Sequence, residues 1–305
     1  MFYTYGITQQ GTYHIKNDIV CQDAHCITKV NNDIIIATVA DGLGSEMFSD
    51  IASKTASEVV NRTCTECLAE KEIDTTLVLS ALETGFSNAL DEITRIAEED
   101  ENALTEYDTT LSTAIIIGEK LYFGHVGDSG IIALTKDGRY EKVTTQQQDD
   151  YGCVYPLVFR ENWVFQEYEH PVVSVLLATD GIYGTLFPYL LKEEANPIHV
   201  NLAQFFMDPD SLHIKEDGEE VTRDRIAEFL SSIPDEQVND DKTLVVVINP
   251  EVERSFQTEE YYIEPNWEEL KKKKDEEWKR KAYPHLFENK ADENVEVYDE
   301  PEVTE

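Results

Sequence analysis

The sequence predicts an α+β layered sandwich of antiparallel strands. Two observations carry that prediction: strand-like runs follow one another across tight turns, and helical stretches come in pairs between groups of strands. A parallel sheet would instead need a crossover helix after each strand.

Residues 1–44 read as three strands, FYTYGI, AHCITKV and DIIIATVAD, with Asn31-Asn32 turning the last two into a hairpin. Ser49 is placed to cap a helix running to about Ala69, with Ala52, Ala56, Val59, Val60 and Cys64 along one stripe. A second amphipathic helix is expected from about Thr76 to Ile96, on the stripe Val78, Leu82, Phe86, Leu90 and Ile93. Residues 110–145 return to strands, broken at Gly118-Glu119-Lys120, Asp128-Ser129-Gly130 and Asp137-Gly138. The strands SVLLATDG (174–181) and TLVVVIN (243–249) flank a helical stretch.

Of the 305 residues 41% are hydrophobic, which suffices for a globular core. A net charge of −37 repels phosphate backbones and anionic lipid, so neither nucleic acid nor a membrane is an expected partner. The longest apolar runs fall far short of the ~20 residues of a spanning helix, and MFYTYGITQQG lacks the features of a leader. A soluble, cytoplasmic protein is therefore expected. The five cysteines are odd in number and form no disulfide framework, and Cys64-x-x-Cys67 reads as part of a buried helical stripe rather than a zinc site.

Composition shifts after Pro250. Residues 251–305 hold 18 acidic and 9 basic residues, and 291–305 hold seven acids and no base. Residues 1–250 are thus expected to be the functional domain, and 251–305 an acidic appendage, partly helical over WEELKKKKDEEWKRK or disordered, that adds little to the core.

Asp41, Asp128, Asp180 and Asp240 each stand at or near the end of an apolar strand, in VADG, HVGDS, LATDG and NDDKT. Strand ends converge on a sheet rim. Carboxylates gathered there repel one another, and the Lys and Arg available to offset them are too few, so the pattern points to hard divalent cations with oxygen ligands. Singly, each Asp-Gly is an ordinary turn pair.

In order along the chain, C-Q-D-A (21–24), V-A-D-G-L-G-S (39–45), D-T-T-L (108–111), G-H-V-G-D-S (124–129), A-T-D-G (178–181) and D-D-K-T (240–243) resemble the bacterial branch of the type-2C, metal-dependent (PPM-type) serine/threonine protein phosphatases. The resemblance spans residues 6–249. It implies a four-layer α-β-β-α sandwich with a metal pair, Mn2+ or Mg2+, at one end and a third, more weakly held cation. Carried over by position, Asp41 bridges the pair, the Gly42 carbonyl ligates one cation, Asp180 and Asp240 hold the other, Asp128 helps hold the third, and Asp23 acts near the metals through water. Gln22, Asp241 and His14 are further candidates, with Asp240 preferred over Asp241 on the alignment of Thr243.

The implied reaction is hydrolysis of phosphoserine and phosphothreonine by a metal-activated water, with no enzyme nucleophile. The implied partners are a phosphoprotein substrate and a serine/threonine kinase or its targets. The alternative is a catalytically weak phosphatase-like module that binds a kinase or another regulatory partner. The chain departs from the animal enzymes at Gln22 (an acid there), Asp18 (a phosphate-binding arginine), Leu43 (a histidine) and Gly130 (an arginine in many members). His125 alternates with Asp128 along a strand and is expected to face the core.

Overall fold

The structure is a computed structural model describing residues 1–69 and 72–284. Ten strands form, β1 (Tyr3–Gln9), β2 (Asp23–Lys29), β3 (Ile34–Asp41), β4 (Leu111–Ile117), β5 (Lys120–Val126), β6 (Gly130–Thr135), β7 (Tyr140–Lys142), β8 (Val164–Glu167), β9 (Val172–Ala178) and β10 (Lys242–Ile248). The α-helices are α1 (Thr12–Lys16), α2 (Ser49–Leu68), α3 (Thr75–Glu99), α4 (Asp180–Leu186), α5 (Val200–Met207), α6 (Ile214–Ser232) and α7 (Trp267–Ala282).

The strands make two five-stranded antiparallel sheets, ordered β1-β10-β9-β6-β7 and β2-β3-β4-β5-β8. Ile35, Val39 and Ile116 of one sheet meet Val175, Leu177, Val245 and Val247 of the other in the central layer. The outer face of the second sheet is covered by α2 and α3, and that of the first by α4, α5 and α6. Both faces of the inner strands are therefore buried, which is why β3 and β10 read as continuous apolar runs rather than alternating ones. This is the expected α-β-β-α sandwich.

Asn31 closes the β2–β3 hairpin as expected, its side chain accepting from the N–H groups of Asp33 and Ile34 at 2.8 and 3.0 Å. That turn fixes the register that sets Asp23 opposite Asp41. The first strand, by contrast, leaves its neighbours and pairs with β10, Tyr3 opposite Ile248 and Gln9 opposite Lys242.

The helix starts differ from expectation. Ser49 opens α2 but does not cap it; its hydroxyl donates back to the Glu46 carbonyl at 3.2 Å. The cap lies at α3 instead, where Asp74 accepts from the Leu77 N–H at 2.7 Å.

Beyond Pro250, Val252, Tyr261 and Tyr262 pack against the α5–α6 core. The Tyr261 hydroxyl accepts from the Tyr140 N–H at 2.8 Å, and Arg254 meets the fully shielded Asp208 at 2.7 Å. The α7 helix is pinned by Lys273 on Glu194 at 2.8 Å and by Lys274 on Glu193. The acidic stretch 291–305 lies outside the described residues. No helix among the described residues is long and apolar enough to cross a membrane.

Candidate active site

A cleft of about 380 Å³ opens at one end of the sandwich, lined by Asp41, Gly42, Leu43, Asp128, Asp180 and Asp240 together with His14 and Gln22. Both sheets contribute to it. Asp41 ends β3, Asp128 lies in the β5–β6 turn, Asp180 opens α4 after β9, and Asp240 and Asp241 precede β10. The strand ends thus deliver the four aspartates to one rim, as their spacing predicts, and no Lys or Arg is among the described lining residues.

The backbone of Asp41 is locked in place. Its N–H donates to the Thr110 hydroxyl at 3.0 Å, and its carbonyl accepts from the Thr110 N–H at 2.8 Å and the Thr109 hydroxyl at 3.0 Å. The D-T-T-L segment is therefore the cradle of Asp41, a role its sequence alone does not disclose. Gly42 is required sterically, because a Cβ there would stand 2.6 Å from the Ser49 carbonyl oxygen. At Gly181 a Cβ would stand 2.1 Å from the Asp241 carbonyl oxygen, so Asp180 is pressed close to the 240–241 segment.

Asp240 and Asp241 have opposite surroundings. Asp241 is buried, accepting from the N–H of Gly11 and the N–H of Gln22 at 2.6 Å each, and His14 Nδ1 lies 2.9 Å from it. Asp240 faces the cleft, half exposed, with His14 Nε2 at 3.9 Å. His14, Asp240 and Asp241 bring candidate ligand atoms within 4.8 Å of one another, but the Asp241 carboxylate is already committed to its backbone donors.

The electrostatics follow from the crowding. Desolvation first, then the charges of Asp23, Asp180, Asp128 and Asp240, push the Asp41 carboxyl well above the usual range. Asp180, though open to the cleft, is raised to about 6 by desolvation and then by Asp128 and Asp240. Burial raises Asp23 to about 8, against the pull of a 2.8 Å hydrogen bond from the Thr179 hydroxyl. Asp128 is raised by burial and accepts from the Gln148 side chain at 3.2 Å. Hard divalent cations fit this donor set, which offers carboxylate oxygens and the main chain at Gly42, and whose shared repulsion a positive ion relieves.

The departures also find places. Gln22 is buried with its Oε1 lacking a hydrogen-bond partner, at the cleft wall. Asp18 is exposed, its backbone in the left-handed region at φ 55°, and is not among the cleft residues. Gly130 lies under the Tyr183 ring, where a Cβ would stand 2.0 Å from a ring carbon, so no arginine fits. His125 is buried, held by the Ser112 hydroxyl at 2.8 Å and the Thr145 carbonyl at 3.1 Å, and burial lowers it to about 4.

Residues 10–231 match the protein phosphatase 2C family, under the description "Protein phosphatase 2C". The chain belongs to that family. Among curated proteins, this phosphatase 2C member is similar to the serine/threonine phosphatase stp of Listeria innocua serovar 6a, 29% identical over 154 residues, or 49% of this chain and 56% of the relative. The stp protein of Listeria monocytogenes serotype 4b is 29% identical over 161 residues, 51% of this chain and 58% of the relative. The chain spans little more than half the length of these relatives.

Solved structures match more of the chain. The serine/threonine phosphatase Stp1 from Staphylococcus aureus aligns with a TM-score of 0.58 at 15% identity, covering 82% of this chain and 95% of that one. The Mycobacterium tuberculosis phosphatase PstP/Ppp aligns with a TM-score of 0.52 at 14% identity, covering 81% and 98%. At such identities the likeness is one of fold.

Proposed function

We propose that this chain is a metal-dependent phosphatase that hydrolyses phosphoserine and phosphothreonine in proteins. The observation that carries the reading is the convergence of Asp41, Asp128, Asp180 and Asp240, from both sheets, on a cleft with no Lys or Arg among its described lining residues. Membership of the phosphatase 2C family supports it, as do relatives named serine/threonine phosphatases.

In this reading Asp41 and the Gly42 carbonyl, with Asp180 and Asp240, hold two cations, Mn2+ or Mg2+, and Asp128 helps hold a third more weakly. When bound, the cations lower the pKa of water and offset charge on the phosphoryl oxygens. The protein's own part is positional. Thr109 and Thr110 fix the Asp41 backbone, and Thr179 orients Asp23 beside it. Asp23 stands opposite Asp41 in the strand register, and in this reading it acts near the cations through water. Asp241 anchors Gly11, Gln22 and His14, which wall the cleft. Gln22 brings a neutral amide where the animal enzymes bring an acid, so the site carries one charge fewer.

The natural substrates are phosphoproteins, in the setting of a serine/threonine kinase or its targets. A cytoplasmic setting is supported by five free thiols, which suit a reducing compartment. Residues 1–250 carry every proposed ligand, but the expected appendage is not separate from the core along its whole length, since Val252, Arg254, Tyr261 and Tyr262 pack into or tie onto the domain. The test is hydrolysis of a small aryl phosphate with Mn2+ against chelator-treated protein. Turnover that is cation-dependent is expected; equal rates in both samples, or none with saturating Mn2+, would remove the reading.

A further inference from the structure

A second concavity, of about 770 Å³, adjoins the cleft and shares Asp180, Asn239 and Asp240 with it. Its other walls are largely apolar, formed by Leu202, Phe229, Ile233, Val238 and Trp267. A groove of this size takes one or two bulky side chains. Trp267 stands there as a fixed wall: its ring meets His199 edge-on at 4.9 Å, and its Nε1–H donates to Glu264 at 2.7 Å.

Gly184 gives the groove its openness. It lies within α4 outside the positive-φ region, and a Cβ there would meet nothing within 4 Å. Neither backbone nor packing requires glycine, unlike at Gly181, and glycine weakens a helix relative to alanine. The missing side chain leaves the space above it open.

We propose that this groove docks an apolar side chain of the phosphorylated substrate segment, within a few residues of the phosphoserine or phosphothreonine. The proposal rests on the phosphatase reading. Its basis is continuity, because a chain whose phosphoryl group lies among Asp41, Asp180 and Asp240 passes directly into a groove that begins at Asp180 and Asp240. Apart from His199, the only titratable residues among the described lining of the groove are those two aspartates, which in the phosphatase reading are taken up by a cation, so the rest of the wall offers a substrate segment mainly apolar contact.

The experiment compares an aryl phosphate with phosphopeptides in which one leucine is moved through about three residues on either side of the phosphoserine, the reach of an extended chain over such a groove. An all-alanine peptide is the control. In the wild type one leucine position is expected to raise kcat/KM by roughly tenfold, the scale of burying one aliphatic side chain. Gly184→Leu, which fills the groove, is expected to erase that preference while its effect on the aryl phosphate is far smaller. Gly184→Ala gives a partial loss and guards against misfolding of the larger variant.

Leucine and alanine peptides hydrolysed alike by the wild type would overturn docking while leaving the phosphatase reading in place. An equal loss on aryl phosphate and leucine peptide in both variants would overturn it too. Absence of aryl-phosphate turnover with saturating Mn2+ would sink the phosphatase reading and the docking proposal with it. A wild-type dimer that Gly184→Leu dissolves in sedimentation would give the groove to a second copy and also overturn the proposal.

Discussion

Asp208 is fully shielded and meets Arg254 at 2.7 Å, the Tyr140 hydroxyl at 2.8 Å and the N–H groups of Asp210 and Ser211 at 2.9 and 3.0 Å. Asp41, at the sandwich rim, is surrounded by the charges of Asp23, Asp180, Asp128 and Asp240. In the first region the fold supplies a base and a full set of donors, and the carboxylate acts as a structural tie. In the second its neutral hydroxyls and amides hold the Asp41 backbone and the Asp23 and Asp128 carboxylates, but no Lys or Arg is among the described residues lining the cleft, and the carboxylates repel one another. Acids crowded together without a base are unfavourable for stability, and that cost is what the proposed cations would offset.

That contrast breaks most sharply at Asp41. Asp41→Asn is expected to lower kcat/KM for an aryl phosphate with saturating Mn2+ on the order of 10³-fold. Melting of the chelator-treated variant should be unchanged or higher, because one repelling charge is gone. Near-normal turnover would remove Asp41 from the proposed ligand set. The reverse pattern is expected at the structural tie. Arg254→Met should cost about 3–5 kcal/mol of stability in urea unfolding, since Asp208 is left buried and unpaired, while folded molecules keep their turnover. Removing residues 251–305 takes Arg254 away and should carry a comparable loss.

The adjacent pair sharpens the comparison within two residues. Asp240→Asn is expected to reduce turnover, recover in part at high Mn2+ and leave melting unchanged. Asp241→Asn should instead destabilise by about 1–3 kcal/mol, because it disturbs the buried acceptor for Gly11 and Gln22. Should Asp241→Asn alone show rescue by Mn2+, the assignment of the pair is reversed.

A smaller effect lies in pH. The folded-state values of Asp180, about 6, and Asp23, about 8, stand above the unfolded carboxylate range near 4. These groups therefore bind protons more tightly in the folded state. Their contribution to the stability of cation-free protein is full below about pH 4 and is lost as pH rises through about 6 to 8. A cation bound in the cleft counters the same repulsion, so the rise in melting temperature on adding Mn2+ should be larger at about pH 8 than at about pH 5. An equal rise at both would mean that the cation does not meet these carboxylates.

The sheets were legible because β3 and β10 carry the apolar runs IIIA (34–37) and LVVVI (244–248) and because Asn31-Asn32 and the Asp-Gly pairs mark strand ends. The partner of β1 was not, since Tyr3 pairs with Ile248 and nothing local encodes a contact so distant in the chain. The four rim aspartates were legible from their positions at strand ends. The division of labour between Asp240 and Asp241 rested on an alignment, because two adjacent carboxylates differ only in which one meets the Gly11 and Gln22 N–H groups. Thr110 and Thr179 escaped notice for a related reason: each acts through a hydroxyl whose partner comes from another strand. Arg254 was hidden by its acidic context, which reads as a solvated tail until Asp208 is found beneath it.

Asp41 belongs to one sheet, while Asp180 and Asp240 flank strands of the other. A cation held by all three, as proposed, would be a rivet through both plates of the sandwich. Peeling either sheet away would have to release it first, so its departure would become part of the barrier to opening rather than a local event. The loaded protein should therefore exchange the amide hydrogens of β3 and β10 in step, as one unit, and part with them independently only once the rivet is drawn.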